Sequence, residues 1–128
     1  MKDEGEIGTF EKSEKQLQVF LREVRELSNK HPNESLNKFK VELINMVLKT
    51  CNDILGPDKP FPTFELFDID KIPSNSDARL ILAHYASSMH AFRCKNTGRD
   101  QNFKWRWILK GKLSPVEASD PDHFCPPL

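Results

Sequence analysis

The residues best suited to chemistry are a few histidines and cysteines. His90 and Cys94 are four apart, a spacing that puts both on one face of a helix, and His123 and Cys125 follow near the chain's end. A structural zinc site takes four such soft ligands in a tetrahedron. Here the pairs match no familiar zinc spacing, and the second lies in a proline-rich stretch, so no metal site is expected. Cys51, Cys94 and Cys125 are an odd, sparse set, unlike a disulfide framework. Reduced thiols and a cytoplasmic or nuclear setting are the corresponding expectation. The five glycines are scattered at positions 5, 8, 56, 98 and 111 and form no phosphate-cradling loop. Glu65, Asp68 and Asp70 lack the spacing and glycine of a calcium loop, and Ser114-Pro115 is too common a dipeptide to mark a phosphorylation site. No nucleophile stands beside a base. A protein that is not an enzyme and uses no cofactor is expected.

A second candidate is electrostatic. From Phe92 to Lys112 there are seven basic residues against the single acid Asp100, plus six over 21 residues. Arg93, Lys104, Arg106 and Lys110 are interleaved there with Phe103, Trp105 and Trp107. Cations for phosphates and flat rings for bases are what single-stranded nucleic acid requires, RNA included. The interleaving has period two, however, so a strand would place rings on one face and cations on the other. Rings packed on a core with cations in water fit that alternation better than a stacking platform does.

The third candidate is apolar. Residues 56–73 contain four prolines yet carry Phe61, Phe64, Leu66, Phe67, Ile69 and Ile72. Burying one large apolar side chain is worth on the order of 1.5–3 kcal/mol, so such a segment should be pinned to its neighbours. Alternatively it presents aromatics to a partner, rimmed by Glu65, Asp68 and Asp70. With nine phenylalanines and two tryptophans in a small chain, surplus apolar surface would become an interface. The leading reading is therefore a non-enzymatic protein–protein interaction module or small complex subunit. Phe61, Phe64, Phe67, Trp105 and Trp107 are its partner-binding candidates, and nucleic-acid binding through 93–112 is the alternative.

These groups must be positioned by a short list of elements. The chain has 128 residues, 19 basic and 19 acidic, which bounds it to about one domain and gives no global pull towards polyanions. No apolar run approaches the roughly 20 residues a membrane span needs. The N-terminus is too acidic and polar for a targeting peptide.

Ser13 with Gln16 reads as a capping box, opening a helix over 13–30 with Leu17, Phe20, Leu21, Val24 and Leu27 on one stripe. A second helix over 33–55 would be capped by Asn33 or Ser35 and closed by Gly56-Pro57. Its apolar set (Leu36, Phe39, Leu43, Ile44, Val47, Leu48, Cys51, Ile54, Leu55) is wide enough to face more than one neighbour. A third, over 74–95, starts at Ser74 and carries Ala78, Leu82, Tyr85, Met89 and Phe92.

The expected fold is all-α. It is a small three-helix bundle over 13–110 with the aromatic connector packed on it and the third helix in the middle. Residues 1–12 are expected to be a disordered lead-in and 111–128 a disordered tail, with a short strand or helix near 103–110. The abrupt change of character after residue 95 also suggests a shortened form of a longer protein, which would leave an apolar side of the third helix open.

Overall fold

The computed structural model describes residues 3–119. Three helices, α1 (Glu4–Lys30), α2 (Lys38–Leu55) and α3 (Asn75–Lys95), pack together, and Gly56–Asp58 forms a 3-10 turn after α2. Three strands follow: β1 (Thr97–Arg99), β2 (Trp105–Leu109) and β3 (Lys112–Glu117). They form one antiparallel sheet in the order β1-β2-β3. The architecture is mixed α+β, not the all-α bundle expected, although three helices do pack together as anticipated. No helix among the described residues is long and apolar enough to cross a membrane.

The expected lead-in is helix. Asp3 caps α1 by accepting from the Glu6 N–H at 2.8 Å, and Glu4 and Glu6 sit in the first turn, where the helix dipole favours them. Ile7 and Phe10 are buried and continue the Leu17–Val24 stripe towards the N-terminus. Ser13, read as a cap, is a buried mid-helix residue on that stripe. α1 ends at Lys30, before His31 and Pro32, as the proline requires.

α2 begins later than its first possible caps. The backbone of residues 32–36 is instead bonded to the segment entering α3. Leu36 N–H donates to Pro73 O (2.9 Å), Asn75 N–H to Glu34 O (2.8 Å) and Ser76 N–H to Pro32 O (3.0 Å). With those groups spent, Asn37 takes over as cap, accepting from Lys40 N–H at 2.8 Å. Ser74 caps α3 as expected, accepting from Asp77 N–H at 3.2 Å.

Ala78, Leu82, Tyr85 and Met89 of α3 are fully buried, whereas Leu80 is exposed. α1, not α3, is the helix most extensively packed against both others. α3 does receive aromatics on both flanks: Phe61 and Phe64 from the connector, Trp107 from the sheet.

The expected tail contains β3. Its Pro115 lacks an N–H, which an edge strand tolerates. The β2–β3 connection is the two-residue turn Lys110-Gly111, both at positive φ (51° and 80°), the hand that suits a tight hairpin. Residues 120–128 of that expected tail lie outside the described residues.

Candidate interaction surface

The connector aromatics are spent on the fold. Phe67 is buried, and its backbone is held from both sides by Asn45: Phe67 N–H donates to Oδ1 and Asn45 Nδ2 donates to Phe67 O, each at 2.9 Å. Phe64 packs edge-on against Phe67 and Tyr85 (centroids 5.1 and 6.4 Å apart), and Phe61 against Phe64 and His84 (6.3 and 5.1 Å). Both are half-buried. Asn52 ties the segment to α3, donating to Glu65 O (2.9 Å) and accepting from Tyr85 Oη (2.6 Å). Glu65, Asp68 and Asp70 are exposed, so the acidic rim is on the surface while the rings it was to frame turn inward.

The two tryptophans divide. Trp107 is fully buried, edge-on to Phe10 at 5.2 Å, and its Nε1–H donates to Glu11 at 3.0 Å. Trp105 is half-buried, with the Arg99 guanidinium 5.0 Å above its ring. Both tryptophans point to the core side of β2 and Arg106 to the other, the separation that period two implies.

The cations of 93–112 are mostly committed. Arg93 is buried against Glu14 (Nη2–Oε1 2.7 Å), and Lys95 lies 3.4 Å from Asp58. Arg106 pairs with Asp100 (3.0 Å) and Glu117 (3.7 Å) and donates to Pro115 O at 2.8 Å. The Lys104 backbone N–H and the Arg106 side chain, both donating to Asp100, hold its carboxyl below the usual range. Lys104, Lys110 and Lys112 are exposed and form no ion pair among the described residues. Phe103, at φ 61°, stands out at the β1–β2 turn beside Lys104.

No group of three or more His, Cys, Asp or Glu that could hold a metal occurs among the described residues. His90 Nε2 and Cys94 Sγ are 3.6 Å apart, and burial lowers the His90 pKa. His123 and Cys125 lie outside the described residues. Cys94 is disulfide-bonded, which departs from the expectation of reduced thiols, and Cys51 is a free, buried thiol. Ser114 is buried, its hydroxyl accepting from Val116 N–H at 3.2 Å, a poor position for a kinase to reach.

Burial, reinforced by the nearby Glu14 carboxylate, pushes the Cys51 thiol from 9.0 up to about 12. The folded protein therefore resists forming this thiolate more than the unfolded chain does. The stability linked to Cys51 is complete below pH 9 and is lost as pH rises from there towards about 12. Alkylation by iodoacetamide at pH 8 should spare Cys51 in the folded protein and reach it in urea. Equal rates in the two states would contradict its burial.

The apolar surface left over is on α2. Phe39, Leu43 and Met46, at steps of four and three, are 69%, 37% and 68% exposed. They make one stripe beside the buried face formed by Val41, Ile44, Val47, Leu48 and Cys51. Lys40 meets Glu23 of α1 at 3.2 Å. On α1, Val19 lies one turn before Glu23 and is 48% exposed. Phe39 and Leu43 belong to the apolar set expected of α2, yet the fold leaves both exposed. The α2 apolar set is wide enough to meet α1, α3 and the connector and still leave this stripe uncovered. No family model, no curated protein and no solved structure matches this chain.

Proposed function

We propose that this domain is a non-enzymatic interaction module that docks an apolar helical face of a partner protein on α2. The observation that carries the reading is the Phe39–Leu43–Met46 stripe, open to water on a domain whose other aromatics are largely packed. Three large apolar side chains at steps of four and three are the pattern a helix-in-groove contact uses as anchors. A hydrophobic centre of this kind, rimmed by the charged Lys38, Glu42, Lys49 and Asp53, matches the anatomy of a protein interface.

Single-stranded nucleic-acid binding through Arg93, Lys104, Arg106 and Lys110 has less behind it. Two of those four are in ion pairs, and the fully buried Trp107 cannot stack on a base.

The test is a pair of charge insertions on the stripe, Phe39→Glu and Met46→Glu. Each should leave stability within about 0.5 kcal/mol, as exposed substitutions do. Each should weaken a partner complex recovered with the unmodified protein at least tenfold. The control Phe103→Ala, on a remote exposed turn, should leave that complex intact. Retention of the complex by both stripe variants would overturn the proposal.

A further inference from the structure

The exposed stripe on α2 is flanked by charges with an order of their own. At about 100° per residue, Phe39, Leu43, Met46 and Thr50 fall within about 60° of one another around the helix axis. Lys38, Glu42, Lys49 and Asp53 fall in a second band of about the same width along one edge of that stripe. All four are exposed and form no ion pair among the described residues. From the start of the helix to its end the band runs plus, minus, plus, minus. The opposite edge is already taken up: Lys40 meets Glu23 of α1 at 3.2 Å, and Val47 is buried. Thr50 donates its hydroxyl to Met46 O at 3.3 Å, so the one polar group in the stripe is satisfied within the helix.

Such an order complements itself in one orientation. When two copies of a helix lie antiparallel with their stripes face to face, each edge meets the same edge of the other copy; in a parallel pair it meets the opposite edge. An antiparallel pairing with Leu43 against Met46 and Phe39 against Thr50 brings Glu42 beside Lys49 of the second copy, and Lys38 beside its Asp53. Two-fold symmetry repeats each of these contacts. The apolar and the charged pairs share one midpoint to within a residue, about 1.5 Å of helix. A parallel pairing would set the charged band against the Lys40 edge and leave its order without a counterpart.

We propose that α2 docks antiparallel on the α2 of a second copy of this chain, with the charged band setting orientation and register. The proposal rests on the reading of the stripe as a docking face and names what occupies it. Charged pairs at the edge of a helix–helix contact add little affinity and decide partner and direction. Three large apolar side chains from each copy make a small interface, so the pairing is a reversible equilibrium that depends on protein concentration.

Sedimentation equilibrium of the full chain over a range of concentrations should show the mass rising from 14.8 kDa towards twice that value. Glu42→Lys sets like charges opposite Lys49, and Lys49→Glu sets them opposite Glu42. Each alone should weaken self-association at least about tenfold. Mixed in equal amounts, the two variants should associate with each other as tightly as unmodified chains do, because every edge pair is then opposite in sign. The double variant Glu42→Lys/Lys49→Glu should regain self-association for the same reason. Both positions are exposed, so the unfolding midpoint of each variant should stay where it was. Self-association that survives Phe39→Glu, or that the mixed variants fail to restore, overturns the proposal. A mass of one chain at every concentration also overturns it, while the docking reading of the stripe is decided separately by Phe39→Glu against a complex with a different protein.

Discussion

Replacing Glu14 by alanine should lower the free energy of unfolding by about 3–5 kcal/mol, because it strands a buried arginine without its counter-charge. Arg93 is 5% exposed, and Glu14 is its one carboxylate partner among the described residues, bonded through two of the three guanidinium nitrogens. Stability of a small domain is itself only about 5–15 kcal/mol, so the variant would be near the edge of folding. Removing both partners is a different matter. In Glu14→Leu/Arg93→Met no charge is left behind, and the double variant should recover most of the loss, since apolar groups of similar volume often replace a buried pair at little cost. Urea titration of the three variants measures this directly. A Glu14→Ala loss below about 1 kcal/mol would mean that water reaches the guanidinium and that the pair behaves as a surface bridge.

The second large effect belongs to Trp107. It is fully buried, meets Phe10 edge-on at 5.2 Å and forms one side of the slot that holds Arg93. Trp107→Ala should cost about 3–5 kcal/mol, the range for emptying a large aromatic site in a core. The loss should also be local in character. Trp107 is the one fully buried large side chain contributed by the sheet, so without it β1–β3 should become open to proteolysis before the helices do. Limited proteolysis followed by mass determination would reveal cleavage in 97–117 while 4–95 stays intact. Loss of both parts together would show that sheet and helices unfold as one unit.

These two residues also show where sequence reasoning reaches and where it stops. α3 was legible because cap, stripe and terminal charge all agree: Ser74, then Ala78, Leu82, Tyr85 and Met89, then Arg93 and Lys95. The first turns of α1 were not, because Ser13 with Gln16 imitates a helix start while Ile7 and Phe10 supply too few apolar positions to be read alone. The late start of α2 depends on bonds to residues 73–76, about 40 positions away, which no local pattern encodes. The sheet was half legible. β2 alternates and could be read, whereas Thr97–Arg99 and Lys112–Glu117 become strands only by pairing with it. The partner-binding candidates could be named by residue type but not by exposure. Of the aromatics singled out, Phe67 and Trp107 are buried and Phe61, Phe64 and Trp105 half-buried, since such rings are the groups a small core claims first. What remained outside was the surplus on α2, visible only once every neighbour had been placed.

The backbone bonds between residues 32–36 and 73–76 have a further meaning for how the molecule comes apart. They fasten the connection between α1 and α2 to the lead-in of α3, so the two junctions form one knot. Asn75, buried there, draws it tighter by donating from Nδ2 to His31 O at 2.9 Å. Loosening either strand of this knot would deprive the other of its backbone partners, so the entry to α2, with the uncovered oily row that follows it, and the entry to α3 share one set of fastenings.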